Sequence, residues 1–216
     1  MEQFNTLEMI RIVEIMTDTI LANEVAFCDL DSAAGDGDFG MSLAKGFREI
    51  KKQWNDFPKD DFGLFLKSCG LVITEYCGGA SGPIWGAAFR GAAKTAGEMS
   101  CFGVKELAEL LQSAVDSIQK IGGAKQGDKT LLDALIPAAL SLKASAEEGV
   151  ALRVAVRKSA QEATFGAEQT KYIVATRGRA SYVGERSLQF PDAGAAAIGI
   201  IFTQIANDML HCKNNI

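Results

Sequence analysis

Histidine is almost missing from this chain: there is one, His211, in a polar tail. A lone histidine there supports no Ser-His-Asp or Cys-His catalytic pair unless the tail folds back. Cysteine is sparse and unpatterned. Cys28, Cys69, Cys77, Cys101 and Cys212 are odd in number and form no C-x-x-C pair. They read as reduced thiols, mostly buried, with little weight as metal ligands. No run of about 20 apolar residues offers a membrane span. The start Met-Glu-Gln-Phe-Asn-Thr lacks the basic and apolar regions of a signal peptide. Runs of Lys and Arg are absent and the net charge is −5, which argues against nucleic acid or an anionic membrane as partner. A cytoplasmic location is expected. With only four prolines and 48% hydrophobic residues, disorder is not expected, and 1–216 reads as one domain.

What is present is concentrated in one stretch, Asp31-Ser-Ala-Ala-Gly-Asp36-Gly-Asp38-Phe-Gly40. Its glycines predict a tight loop, in which three carboxylates can converge. Their repulsion calls for a cation, and oxygen-only ligands suit Mg²⁺ or Ca²⁺ rather than zinc. Gly35-x-Gly37-x-x-Gly40 has the letters of a dinucleotide-binding fingerprint. However, it follows no good strand and carries aspartates that would repel a pyrophosphate. An EF-hand started at Asp36 fails, because Met41 and Phe47 stand where Gly and Glu are needed. Two readings stay open: an acidic surface turn with no ligand, and a loop whose aspartates hold Mg²⁺ against phosphate.

The rest of the chain has a helical period. Leu7, Ile10, Val13, Met16 and Ile20 predict a first helix ending near Asn23. Further helices are expected over 41–52, 60–77, 81–99, about 107–121 and 130–146, the last containing Pro137. An Ala-rich helix follows over 150–176, and a buried one starts near Asp192. The fold class expected is all-α: eight helices with short links, hence an antiparallel up-and-down array.

The chemically unusual loops all fall on odd-to-even connections of that array, so they should share one end. Gly78-Gly-Ala-Ser-Gly82-Pro83 offers free N–H groups at a helix start, with Ser81 as the expected N-cap. Gly122-Gly-Ala-Lys-Gln-Gly-Asp128-Lys-Thr130 precedes a Thr-x-x-Asp pattern resembling a capping box. The segment from Arg177 to Arg186, with Asp192-Ala-Gly194, adds positive charge. Each has a bland explanation as a cap or a solvated charge pair. Together, on one rim, they make a nucleotide-phosphate site.

Those four motifs, in that order, resemble the nucleotide-binding L subunit of dihydroxyacetone kinase, over roughly 4–210. The resemblance implies an eight-helix antiparallel barrel with ADP or ATP at one end. It matches Asp31, Asp36 and Asp38 to aspartates that hold two Mg²⁺ ions. Gly79, Ala80 and Ser81 match the phosphate-side loop, Leu131 an apolar contact to the base, and Arg179 and Asp192 the nucleotide pocket. Substrate capture is then the task of a separate K subunit, so no catalytic residue is assigned here. The resemblance implies a phosphoenolpyruvate-phosphotransferase-system protein as phosphoryl donor, with free ATP as the alternative, and a homodimer stays open.

The chain also departs from that pattern. Phe39 stands where the family has His, Ser42 where it has Asn, and Ala193 where it has Pro. Phe39 and Ser42 sit beside the expected phosphates and are included in the nucleotide site. Their loss of polar contacts admits an alternative, a non-catalytic nucleotide-binding module, and the substrate could be another small sugar. A fatty-acid kinase domain fits less well, since Phe-Gly-Met-Ser replaces its usual Thr-Gly-Thr-Asn.

Overall fold

Residues 2–211 are described by the structure, a computed structural model, although nothing is said of the side chains of Leu210 and His211. Cys212 therefore lies outside the described residues, as does the side chain of His211 on which its considered role depends. Among the described residues there are nine α-helices. They are α1 (Thr6–Ala22), α2 (Glu24–Ser32), α3 (Phe39–Gln53), α4 (Phe62–Tyr76), α5 (Ser81–Ala96), α6 (Val104–Gly122), α7 (Leu132–Glu147), α8 (Leu152–Gln169) and α9 (Ala193–His211). Eight of them are long, and each packs beside the next in sequence. α1 touches both α3 and α9 and so closes the ring. The expected all-α up-and-down barrel is what forms.

Local chemistry sets the helix starts. The Asn5 side chain accepts from the Glu8 N–H at 2.9 Å, and Glu8 accepts from the Asn5 N–H at 2.8 Å. This reciprocal cap satisfies two donors that α1 would otherwise leave bare. Asp61 caps α4 by accepting from the Leu64 N–H at 2.8 Å. The expected helix over 60–77 thus begins and ends within two residues of its prediction. Pro137 stays inside α7. Its missing N–H leaves the Asp133 carbonyl without a helical donor, and Gly166 of α8 approaches that carbonyl.

Two sequence expectations change. The first concerns 24–32, which forms α2 instead of joining an irregular acidic loop. Phe27 is the one fully buried side chain of α2, too little for a visible apolar stripe. Asp31 and Ser32 therefore end a helix, Phe39 and Gly40 begin another, and only 33–38 is loop. The second concerns the helix expected over 150–176, which stops at Gln169. A 3-10 turn follows (Thr170–Tyr172), and then an irregular crossing to α9 containing a second 3-10 stretch, Arg179–Ser187. The Thr170 hydroxyl donates to the Ala167 carbonyl at 2.5 Å and accepts from the Asp192 N–H at 2.8 Å, which turns the chain out of the helix. Two two-residue strands, Phe4–Asn5 and Cys101–Phe102, also pair antiparallel.

The core fills the ring. Phe47 meets Trp85 and Phe89 edge-on, and Phe65 gathers Trp54, Phe57 and Phe62. Between the helices lies an apolar cavity of about 200 Å³, reached by Met16, Phe89, Leu110, Leu135 and Ile198. The start of α9 is buried at Ala193, Ala195, Ala197, Ile198 and Ile201, as its all-round apolar character requires. Of the described cysteines, Cys69 and Cys77 are buried, Cys28 is half-buried and Cys101 exposed; all four are free. Burial pushes the Cys69 thiol up to about 12 and Cys77 up to about 11, so both are inert packing groups.

Candidate functional site

The acidic loop is built by its own carboxylate. Asp31, at the end of α2, accepts the Gly37 N–H on Oδ2 at 2.9 Å and the Gly35 N–H on its carbonyl at 2.6 Å. Gly37 has φ +75, and a side chain at 35 would strike the Asp31 carboxylate. This turn thus requires glycine at both positions. It brings one carboxylate oxygen each of Asp31, Asp36 and Asp38 within 4.8 Å of one another. Asp38 is the N-cap residue of α3, yet its side chain caps nothing, so its oxygens stay available. Three oxygen ligands of this kind suit a hard divalent cation.

Positive charge meets this cluster from a neighbouring element, since α9 packs against both α1 and α2. Arg179, on the crossing between α8 and α9, sets its guanidinium against Asp36, with Nη2 3.7 Å from Asp38 Oδ2. The rim expected from loop order is therefore real: connections far apart in sequence touch there. A second contact joins α3 to the glycine loop, where the Gly78 N–H donates to the Ser42 carbonyl at 3.4 Å. Ser42 thus lies against Gly78, the residue that leads into Gly79, Ala80 and Ser81. Ala80, not Ser81, is the N-cap of α5, and no side chain caps this helix. Ser81 is instead the first helical residue, because Gly79 at φ +56 has already turned the chain. The result is an open helix start with Ser81 in its first turn, an arrangement suited to an anion.

The third connection supplies the pocket wall. Leu131 precedes α7, reaches the apolar cavity below, and lies where a side chain on residue 194 would meet it. The Thr-x-x-Asp pattern bonds across the start of α7 without forming the expected box, since Leu131 is the N-cap: Asp133 accepts the Thr130 N–H at 2.7 Å, and the Thr130 hydroxyl accepts from the Leu132 N–H at 3.2 Å. Asp133 also takes the Gly127 N–H at 2.5 Å, which folds the glycine-rich loop onto the helix start. Asp192 caps α9 by accepting the Ala195 N–H at 2.8 Å. Burial pushes its carboxyl up to about 7, and the charges of Asp133 and Asp31 push the same way.

Phe39 turns inward. Its ring lies 6.1 Å from that of Phe27 and joins the edge of the core. Its backbone sits at the site, while the side chain fills space between α2 and α3.

Asp128 and Lys129 lie in the Gly-Asp-Lys-Thr motif, and the structure gives them roles that the motif does not announce. Lys129 is 2% exposed and its ammonium donates to three backbone carbonyls of the crossing. The Gly-Asp-Lys-Thr string was the available signal, but it looks like an ordinary cap with a solvated lysine.

Comparison with known proteins agrees with this geometry. The family model described as the DAK2 domain matches residues 33–207. The chain is 32% identical over 177 residues to the PEP-dependent dihydroxyacetone kinase ADP-binding subunit DhaL of Escherichia coli, covering 82% of this chain and 84% of that protein. It is 31% identical over 185 residues to the PEP-dependent dihydroxyacetone kinase 1 ADP-binding subunit DhaL of Listeria innocua, covering 86% of this chain and 87% of that protein. Among solved structures, the dihydroxyacetone kinase of C. freundii in complex with AMP-PNP and Mg²⁺ superposes with a TM-score of 0.74 at 27% identity. That match covers 91% of this chain and 33% of the larger one. With most of its length inside the family model and two full-length relatives above 30% identity, this chain belongs to the DAK2 domain family.

Proposed function

We propose that the chain is the nucleotide-binding subunit of a two-component dihydroxyacetone kinase. It holds Mg-ADP or Mg-ATP on its rim and presents it to a hydroxyketone bound on a separate sugar-binding subunit. One observation carries this reading: Asp31, Asp36 and Asp38 converge with Arg179 at the start of α3, whose first turn also meets the glycine loop that leads to the uncapped start of α5. The relatives bear ADP-binding names and a related structure holds AMP-PNP with Mg²⁺, which supports the choice of ligand. Their description as PEP-dependent favours a phosphoprotein donor that recharges bound ADP over exchange with free ATP.

The three carboxylates would hold Mg²⁺, two ions on the family pattern, and bound Mg²⁺ neutralises phosphate charge. The chain's own groups then divide the rest of the work. N–H groups of Gly79, Ala80 and Ser81 bind phosphate oxygens at the helix start, where the dipole is favourable. Ser42 borders the same oxygens. Leu131 offers the base an apolar face, and Asp192 fixes the start of α9 below the pocket. Arg179 brings a permanent cation to the transferring group. Phosphoryl transfer needs positioning and charge more than covalent help, so a rim of this composition suffices.

One observation favours a second reading, a non-catalytic nucleotide-binding module: Phe39 gives its side chain to the core and nothing to the phosphates. A coupled assay with the sugar-binding subunit, dihydroxyacetone and the phosphoryl donor separates the two. Turnover supports the kinase subunit; Mg-ADP binding without turnover supports the module.

A further inference from the structure

Lys129 is buried, and among the described residues no carboxylate lies within ion-pair distance of it, although Asp192 is near enough to act on its charge; its three ammonium protons go to three carbonyls. Nζ lies 3.2 Å from the Ile173 oxygen, 2.5 Å from that of Ser187 and 2.8 Å from that of Phe190. Donors and acceptors match one to one. All three carbonyls belong to the crossing between α8 and α9, two near its outgoing end and one where it leaves α8. Lys129 itself sits at φ 61, a conformation that non-glycine residues adopt only when their surroundings impose it.

Its neighbour holds the same crossing by different bonds. The Asp128 carbonyl accepts the Thr176 N–H at 3.2 Å, and its carboxylate accepts the Thr176 hydroxyl at 3.0 Å. Arg177 Nε lies 3.5 Å from the other carboxylate oxygen, and Arg177 also donates to the Gly123 carbonyl at 2.9 Å. Within the crossing, the Ser187 hydroxyl accepts the Ala175 N–H at 3.0 Å and donates to the Gly184 carbonyl at 2.7 Å, tying its two limbs together. Arg179 projects from the loop that these bonds close.

We propose that Asp128 and Lys129 form a positioning clamp: they fix both limbs of the 173–190 crossing so that Arg179 reaches the Asp36 and Asp38 carboxylates. They touch neither nucleotide nor substrate, and act only through Arg179. The clamp deepens the nucleotide-site reading above and, for its effect on binding, rests on it.

Two measurements on the full chain test it. Hydrogen exchange without nucleotide should show the Ala175 and Gln189 amides losing protection about tenfold or more in Lys129→Met, with the amides of α5 and α6 unchanged. Titration with Mg-ADP should then show Lys129→Met weakened by nearly the same factor as Arg179→Met. The double variant should be no weaker than Arg179→Met alone, since a clamp has nothing left to position. Unchanged exchange overturns the clamp. So does lost protection with wild-type Mg-ADP affinity, or a loss that adds in full to that of Arg179→Met. If Lys129→Met yields no folded protein, Thr176→Val removes the side-chain bond to the Asp128 carboxylate and is read in the same way at Ala175. If Arg179→Met binds Mg-ADP like the wild type, the Arg179 assignment in the nucleotide site fails, while exchange still decides the clamp.

Discussion

The guanidinium of Arg179 lies against the carboxylate of Asp36, joining the crossing before α9 to the loop after α2. Asp36 and its neighbour Asp38 are also two of the three candidate metal ligands. Arginine and a divalent cation thus compete for one set of negative charge unless a phosphate arrives to take the arginine. Arg179→Met should therefore shift two affinities in opposite directions. Mg²⁺ alone should bind about threefold tighter at low salt, ~0.7 kcal/mol, the scale of an exposed ion pair. Mg-ADP should bind more weakly. Titration with each ligand checks this, and both affinities falling together would contradict the competition.

Gly40 allows α2 and α3 to touch. A Cβ there would overlap the Glu24 carbonyl and crowd the Cys28 N–H. Gly40→Ala should cost about 1–3 kcal/mol by forcing the helices apart. At roughly 2–4 °C per kcal/mol for a chain of this size, calorimetry should record a visible fall in Tm. A Tm equal to that of the wild type would mean that the two helices do not pack this closely.

Much of this arrangement can be read from the residues alone, and the reasons differ by element. Helix α6 repeats Leu110, Ala114, Val115 and Ile118 on one face, and its buried residues follow that pattern. The shared rim follows from counting connections, which requires only that the helices alternate in direction. Inserting α2 did not disturb the count, because α2 and the loop after it together replace one connection. Helix α2 itself escapes notice because Phe27 is its one buried anchor. The end of α8 escapes because no Gly or Pro between 167 and 176 marks it, while Thr170 bonds to Asp192 from across the crossing. Lys129 gives no local sign of burial, since its three acceptors lie more than 40 residues further along the chain.

Asp192 makes the stability of the nucleotide-free protein depend on pH. Its folded pKa, about 7, lies above the ordinary 3.8, chiefly because burial disfavours the charged form. The folded state therefore binds the extra proton between those values. The penalty is absent below the ordinary pKa, grows as pH rises, and is complete above about pH 7. Asn keeps an oxygen to accept the Ala195 N–H but carries no charge. The Tm gain of Asp192→Asn over wild type should be larger at pH 8 than at pH 5, in metal-free buffer. An equal gain at both values would contradict a buried, titrating carboxyl.

Phe39 packs against Phe27, so Phe39→His tests packing and chemistry separately. Mg-ADP affinity should change by about 1 kcal/mol or less, the scale of one hydrogen bond. Thermal stability should fall as the ring contact is lost. Turnover with the sugar-binding subunit should rise little if backbone and carboxylates already carry the phosphate charge. A gain of about 10²-fold, the scale of a restored transition-state donor, would identify the wild type as a disabled subunit.

Asp36 and Asp38 bear the central claim. Asp36→Asn and Asp38→Asn keep the shape of the loop and each remove one charge from the cluster. Isothermal titration with Mg-ADP should show each variant weakened about tenfold or more, ~1.4 kcal/mol. Wild-type affinity in both variants would contradict a metal-nucleotide site built on these carboxylates.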